Sequence, residues 1–260
     1  MYVERTDSTN SLLLKLIANG NPPKYIRAGY QTSGRGQAGN GWESEKDKNL
    51  LCSIPLPPDE EPFFLNVAVS VALHRVVSQV IRLTTLEADA DKKLFIKWPN
   101  DLYYDNKKIG GILLETAMSG SEVKYAIAGI GLNVNQTEWH SDAPNPISLK
   151  TICETITGGK ASLDVEDLMD DVYLELQHVF TKPRDLTWRY YKWKLYRSQG
   201  LWPYVERAVS TSPTMNAGIE EQGQFKAEIA DVLPTGELVL RDENGTERKY
   251  HFKQIRYVIS

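Results

Sequence analysis

The chain of 260 residues is 41% hydrophobic and 25% charged, with a formal net charge of −4 at pH 7. This composition is typical of a globular protein and leaves room for one large domain and a small one. The net negative charge argues against general affinity for nucleic acid. The longest apolar run, residues 63–73, is too short to cross a bilayer, so we expect no membrane partner.

The cysteines and the start of the chain indicate a compartment. Cys52 and Cys153 have neither metal-ligand nor redox spacing, so we expect two reduced thiols. The chain begins at Met1 and has no signal-peptide pattern. We therefore expect a cytoplasmic protein.

The first 135 residues predict alternating helices and strands. Asp7 or Ser8 can cap a helix over residues 10–19, whose leucines share one face. The other elements expected here are strands over 25–31 and 50–54, a helix over 62–83, a strand over 94–98, a hairpin with strands over 102–104 and 109–115, and a strand over 123–130 leading into a turn over 129–135. This order predicts an α/β domain.

Two helices are expected next, over residues 165–180 and 183–197. Aromatic residues of the second helix are expected to pack against the core rather than to contact a ligand; they are Tyr190, Tyr191, Trp193 and Tyr196.

The pattern changes after Gly200. Short strands over 225–233, 237–241 and 246–252 are separated by turn signals, which predicts a small β-barrel. The expected domains are therefore residues 1–200 and residues 201–260.

Residues 31–42 form a glycine-rich segment with four glycines in the eight residues 34–41. The segment contains the pattern G-x-G-x-x-G, but no helical periodicity follows it, as a dinucleotide-binding fingerprint requires. The downstream motifs of a kinase are also missing from the sequence. The segment can be a mobile loop whose backbone N–H groups and Arg35 surround an anion, or a solvated loop without chemistry.

Residues 97–115 combine lysines, a Pro-Asn-Asp step and a Gly-Gly step in apparent β-structure. Asp105 and Asn106 are a turn signal, and a hairpin would bring Lys97, Asn100 and Lys108 close together. The alternative is a charged hairpin on the surface.

Other common sites are missing from the sequence. It contains no G-x-x-x-x-G-K-[ST], so any ATP is not held by a P-loop. It contains no G-x-S-x-G, and its four histidines have no spacing that suggests a metal site or the base of a nucleophile. We therefore expect no covalent catalysis by the protein's own side chains.

Taken together, the motifs resemble those of the biotin protein ligases, also called holocarboxylase synthetases. The motifs that carry the resemblance are residues 7–10 (DSTN), the glycine-rich segment 31–42, residues 97–101 (KWPND), residues 108–115 and residues 129–135. The resemblance implies a mixed-sheet catalytic domain of the biotin/lipoate ligase type, like that of class II synthetases, followed by an SH3-like β-barrel. It also implies that biotin reacts with ATP to give biotinyl-5′-AMP, and that biotin then passes to a lysine of a biotin carboxyl carrier domain.

The resemblance also implies roles for particular residues. Arg35, Lys97 and Lys108 would be the catalytic cations. The residues implied to bind biotin are Ser8, Thr9, Asn10, Gln31, Gly34, Arg35, Gly36, Gln37, Lys108, Gly110 and Gly111. Those implied to contact ATP or the adenylate are Arg35, Trp42, Lys97, Asn100 and Asn133. No site made of protein ligands alone is expected for magnesium, which would lie near Asn100 and Asn133.

Two alternatives stay open at this point: a lipoate or octanoate ligase or transferase of the same fold, and a biotin-binding module without catalysis. Because only six residues precede Asp7, we expect a form without an N-terminal DNA-binding domain. Gln37 and Ala38 stand where many relatives have basic residues, and we hypothesise that Gln37 holds the adenylate less firmly.

Overall fold

The computed structural model describes residues 1–119, 122–141, 145–209 and 219–259. It divides the chain into two units, Met1–Tyr191 and Lys192–Ser260. The helices are α1 (Thr9–Ala18), α2 (Pro62–Thr85), α3 (Leu149–Thr157), α4 (Val165–Phe180) and α5 (Arg184–Trp193). The strands are β1 (Tyr2–Thr6), β2 (Ile26–Gln31), β3 (Leu50–Leu56), β4 (Leu94–Lys97), β5 (Asp101–Tyr104), β6 (Lys107–Ser119), β7 (Glu122–Leu132), β8 (Trp202–Val209), β9 (Ile219–Val232), β10 (Leu238–Asp242), β11 (Glu247–Tyr250) and β12 (Ile255–Tyr257).

The first unit is built on a seven-stranded mixed sheet in the order β1-β2-β3-β7-β6-β5-β4. β1 and β2 run parallel. The other neighbours are antiparallel. β3 lies in the interior of the sheet, between β2 and β7, and six of its seven residues are buried. The predicted α/β class is therefore confirmed, with a mixed sheet.

Helices cover both faces of this sheet. α1 packs against β2, β3 and β7, and Leu13 forms a buried cluster with Ile26 and Ile127. α2 packs against β4 to β7 and against α3 and α4. α2 is long and apolar enough to cross a membrane, but 83% of its most apolar window is buried inside the fold, as in the core helix of a globular protein.

A β-bulge interrupts the pairing of β5 with β6. Leu102 lies opposite Gly110, but the next residue, Tyr103, lies opposite Lys108, so Ile109 is the extra residue. A bulge shifts the alternation of side chains by one position. Lys108 therefore shares a face with Asp101 and Gly111, which lie opposite each other.

The structure corrects four predictions. Trp193, expected to pack against the core, is 66% exposed. The Ser8 side chain makes no cap hydrogen bond to α1; instead, Asp7 Oδ1 accepts from the Ser8 N–H at 2.8 Å. The predicted turn over 129–135 begins only after Leu132, because Gly129 and Gly131 pair with strands on both sides. The helix predicted over 183–197 ends at Trp193, and Arg197 has a left-handed backbone with φ of 60°.

The second unit contains a five-stranded antiparallel sheet in the order β11-β10-β9-β8-β12. Tyr204 is fully buried, and its ring lies 5.0 Å from that of Tyr257 and 6.2 Å from that of Phe225. This aromatic core and the antiparallel pairing agree with the small barrel-like domain expected from the sequence.

Candidate functional site

Several predicted site residues of the sheet lie on the face that α1 covers. Residues directly opposite each other in antiparallel strands point to the same side. Gly111 lies opposite Gly131, and Leu113 lies opposite Gly129. Gly129 in turn lies opposite Ser53. Alternation along β6 adds Glu115 to this set, which we call the site face.

Two glycines of β7 allow other segments to touch the backbone of the site face. A Cβ at Gly129 would lie 2.5 Å from Asn10 Oδ1, and a Cβ at Gly131 would lie 2.5 Å from Trp42 Cε2. Both distances are too short for real atoms, so only glycine admits Asn10 and Trp42 at these positions. The G-x-G spacing of the strand therefore brings α1 and the glycine-rich segment onto the site face.

The glycine loop, residues 34–41, closes on itself. Trp42 N–H donates to Gly34 O at 3.0 Å, and Gly36 N–H donates to Asn40 O at 2.7 Å. A Cβ at Gly34 would lie 2.6 Å from Trp42 O, so this closure requires glycine. Gln37 Oε1 and Trp42 Nε1 are buried, with no hydrogen-bond partner among the described residues. Ala38 lies in this loop, but its side chain lies outside the described ones.

The β5–β6 hairpin presents the lysines. Lys108 Nζ lies 2.6 Å from Asp101 Oδ1 and 5.7 Å from the centroid of the Trp42 ring. Lys97 lies opposite Asp101 and so belongs to the site face, and its Nζ is 5.3 Å from the Tyr103 ring centroid. The structure therefore brings both predicted lysines and Trp42 to one side of the sheet.

The predicted glycine pair of this hairpin is crowded by the sheet itself. A Cβ at Gly110 would lie 3.0 Å from Gly131 O, and one at Gly111 would lie 3.1 Å from Asp101 Oδ1. Gly110 thus permits close strand packing, whereas Gly111 makes room for the Asp101–Lys108 pair.

The start of α1 and the end of β2 form a buried polar cluster. Thr9 N–H and Thr9 Oγ1 both donate to Gln31 Oε1, at 2.7 and 3.0 Å. Ser53 Oγ lies 2.7 Å from Thr9 Oγ1 and 2.5 Å from Asn10 Oδ1, and its single proton can go to only one of them. Ser8, Thr9 and Asn10 are all buried. The motif residues 8–10 are thus polar groups held in place beneath the glycine loop.

Glu115 joins this cluster to the loop. Its Oε2 accepts from Asn10 Nδ2 at 2.6 Å and from Arg35 Nη2 at 3.1 Å. Arg35 Nη2 also lies 3.3 Å from Ser11 Oγ on α1. Arg35, predicted from the loop, therefore reaches the site face through Glu115, the last residue of the motif 108–115, for which the sequence predicted no role.

The two predicted asparagines are tied to the backbone. Asn100 Nδ2 donates to Ile112 O, and Asn133 Nδ2 donates to Ile147 O at 3.1 Å. Both residues are 3% exposed. Each side chain therefore keeps its Oδ1 as an acceptor for a metal ion or a nucleotide, and one remaining Nδ2 N–H as a donor.

A buried amide pair that no sequence pattern indicated fixes the chain that follows Trp42. Asn49 Nδ2 donates to Gln136 Oε1 at 2.6 Å, and Val134 N–H donates to Asn49 Oδ1 at 2.9 Å. Burial raises the pKa of Glu43, but hydrogen bonds from His140 and Ser141 outweigh it and leave that pKa below its ordinary value. This bracing connects the end of β7 to the segment behind the loop.

Within the described residues, no group of three or more His, Cys, Asp or Glu side chains could hold a metal ion.

Comparisons with known proteins match the first half of the chain to a family of ligases. Residues 2–133 match the model of the biotin/lipoate A/B protein ligase family. A bifunctional ligase/repressor BirA of Salmonella typhimurium is 32% identical over 139 residues, which are 54% of this chain and 42% of that protein. A biotin–[acetyl-CoA-carboxylase] ligase of Paracoccus denitrificans is 32% identical over 133 residues, covering 50% of this chain and 52% of that protein. The chain spans about half the length of these curated relatives.

A solved structure extends the likeness to both units. The biotin protein ligase of Leishmania major in complex with biotinyl-5-AMP superposes with a TM-score of 0.64 at 25% identity. The match covers 96% of this chain and 97% of that one.

Proposed function

The chain belongs to the biotin/lipoate A/B protein ligase family, and on that premise we propose that it is a biotin protein ligase. In the proposed reaction, the biotin carboxylate attacks the α-phosphate of ATP, forming biotinyl-5′-AMP and releasing pyrophosphate. The amine of an acceptor lysine then attacks the carbonyl carbon of this mixed anhydride, and AMP leaves. The named biotin ligases among the relatives and the adenylate in the Leishmania structure support biotin over lipoate.

One observation carries the proposal: the site face unites two cations, each beside a carboxylate, with a glycine loop and an indole ring. Lys108 pairs with Asp101, Arg35 pairs with Glu115, and Trp42 lies against Gly131 between the loop and the hairpin. A carboxylate and a triphosphate repel each other, so a site that joins them needs cations held in advance.

We assign the first step to Arg35, Lys97 and Lys108. All three would offset the charge that develops on the phosphate as the biotin carboxylate approaches. Lys108 is oriented by Asp101 on the neighbouring strand, because its Nζ lies 2.6 Å from Asp101 Oδ1. Asn100 and Asn133 would contribute their amide oxygens near the nucleotide.

The buried cluster at the start of α1 suits the polar end of biotin. Ser8, Thr9, Asn10 and Gln31 supply hydroxyl and amide groups. Contacts with one another and with Ser53 set the rotamers of Thr9, Asn10 and Gln31. Gly34, Gly36 and Gln37 bring the loop backbone over the ligand, and Gly110 and Gly111 keep the strand free of side chains. Trp42 would help the loop keep water from the anhydride.

Magnesium enters this proposal with ATP rather than in a protein cage. The described residues include no cluster of three acidic or metal-ligating side chains, and Mg²⁺ commonly binds through substrate phosphates and water. When bound, the ion would neutralise phosphate charge and favour departure of pyrophosphate.

The acceptor we propose is the biotin carboxyl carrier domain of a biotin-dependent carboxylase. The name of the Paracoccus relative, an acetyl-CoA-carboxylase ligase, supports that choice. We also propose a cytoplasmic location and a division between the two domains at residue 200.

The decisive experiment is magnesium-dependent ATP–pyrophosphate exchange with biotin, lipoate or octanoate, followed by labelling of a purified carrier domain. We expect exchange that depends on biotin, and one biotin added to the acceptor lysine. Exchange with lipoate or octanoate alone would move the protein to the other branch of the family. Biotin binding without exchange would make it a non-catalytic binding module.

A further inference from the structure

We propose that Glu115 is a positioning residue: its carboxylate holds the Arg35 guanidinium, and with it the glycine loop, against α1 at the site face. The consequence for catalysis rests on the proposed function, but the docking of the loop does not.

A single oxygen makes the connection. Glu115 Oε2 accepts from Asn10 Nδ2 at 2.6 Å and from Arg35 Nη2 at 3.1 Å. Asn10 is 2% exposed and is fixed further by Ser53 Oγ at 2.5 Å from its Oδ1. One end of the link is therefore rigid, and the other end is the side chain of a loop residue.

The place of Glu115 in the sheet favours such a link. It follows Gly111 and Leu113 on the site face of β6, where it lies opposite Ile127, which is fully buried. A carboxylate on a partly covered sheet face loses part of its hydration. This loss costs free energy unless hydrogen-bond donors of the protein replace the water. Hydrogen bonds between charged groups are stronger than neutral ones, so Arg35 is the preferred donor.

The loop depends on this carboxylate in a way that the hairpin does not depend on Asp101. Lys108 is carried by a strand that pairs on both sides, whereas Arg35 is carried by a segment whose described backbone bonds lie largely within it. A guanidinium has five N–H donors. Glu115 can therefore retain Nη2 while the other donors of Arg35 bind an anion, and this fixes the direction from which Arg35 approaches the phosphate.

The first test uses trypsin without any substrate and follows cleavage after Arg35 by mass spectrometry. We expect Glu115→Gln to raise the cleavage rate at this bond at least fivefold relative to the other Lys and Arg bonds, and Glu115→Asp to give a smaller increase. The control is Glu175→Gln, because Glu175 pairs with Arg75 at 2.9 Å and is buried to a similar degree but lies away from the site face. An unchanged rate at Arg35, or an equal rise at every bond, would overturn the proposal.

The second test is a double-mutant cycle in the exchange assay. We expect Glu115→Gln to lower kcat about tenfold in the otherwise unaltered protein and to have no further effect when Arg35→Ala is already present. Independent effects of the two substitutions would show that Glu115 does not act through Arg35. If the unaltered protein lacked biotin-dependent exchange, the proposed function would fail, and the trypsin result would still decide whether Glu115 holds the loop.

Discussion

The β5–β6 hairpin and the glycine loop bring cations to the same face of the sheet by different physical means. In the hairpin, strand pairing and a bulge at Ile109 determine where Lys108 lies, and Asp101 completes the orientation. In the loop, the position of Arg35 is determined by side-chain contacts with Glu115 and Ser11. A site that must admit large substrates can thus combine a cation fixed by backbone structure with one that moves when its partners change.

The largest effect is expected at the hairpin. Lys108→Ala should lower the rate of biotin-dependent exchange by roughly 10²- to 10³-fold, as removal of one preorganised electrostatic group often does. The loss would also leave Asp101 without its cation at 2.6 Å, which adds repulsion toward the incoming anions. Steady-state exchange rates at saturating ATP and biotin measure the effect.

Lys92→Ala is the matched control for this substitution. Lys92 forms an exposed ion pair with Asp89 at 2.8 Å. The substitution therefore removes the same charge from a lysine–aspartate pair that lies outside the site. Exchange should be unchanged in that variant. A comparable loss in both variants would mean that general charge, rather than the hairpin geometry, accounts for the role of Lys108.

A smaller effect is expected where the loop meets the sheet. Gly131→Ala would place a Cβ 2.5 Å from Trp42 Cε2, so the indole and the loop behind it must shift. Overpacking of this kind costs about 1–3 kcal/mol. Because biotin binding as proposed requires the loop in its present place, this cost is subtracted from the binding free energy, a loss of roughly 5- to 150-fold in biotin affinity. Isothermal titration calorimetry measures the affinity directly.

Gly41→Ala separates this clash from a general effect of alanine in the region. A Cβ at Gly41 would meet only Gly34 O at 3.9 Å, an ordinary contact. Biotin affinity should therefore stay within about twofold of the unaltered protein. Equal affinities in the Gly131→Ala and Gly41→Ala variants would show that Trp42 does not need its place against Gly131.

Local patterns predicted much of the hairpin but not the partners of its charges. The turn at Asp105 and Asn106, the glycine pair and the lysines were readable from the sequence, because turn residues act through adjacent backbone. The bulge at Ile109 was not readable, since register depends on the partner strand. The same limit hid Glu115, whose partners Asn10 and Arg35 are 105 and 80 residues away in the chain.

Elements with weak local signals were also missed. β1 lies at the sheet edge and has no fully buried residue, so its sequence lacks a hydrophobic alternation. α3 is rich in Thr and Ile, which have modest helix propensity. Its Ser148 N-cap and the burial of Leu149, Ile152 and Cys153 stabilise it in the folded chain. By contrast, α4 spans residues Val165–Phe180 as its amphipathic pattern predicts.

The smallest effect is expected on the sheet that carries both the hairpin and the glycine loop. We expect its buried residues to stay inaccessible to solvent while the loop moves. Cys52 lies on β3 with 1% exposure, and burial raises the pKa of its thiol to about 12. Burial also raises the pKa of Cys153. Because the thiolate is the reactive form, a disulfide reagent at pH 8 should label neither cysteine in the native protein and both after denaturation.

Saturating biotin should slow trypsin cleavage after Arg35 yet leave this labelling unchanged. If one thiol reacted quickly and biotin protected it, β3 would open together with the loop, and the contrast between a fixed sheet and a movable loop would be wrong.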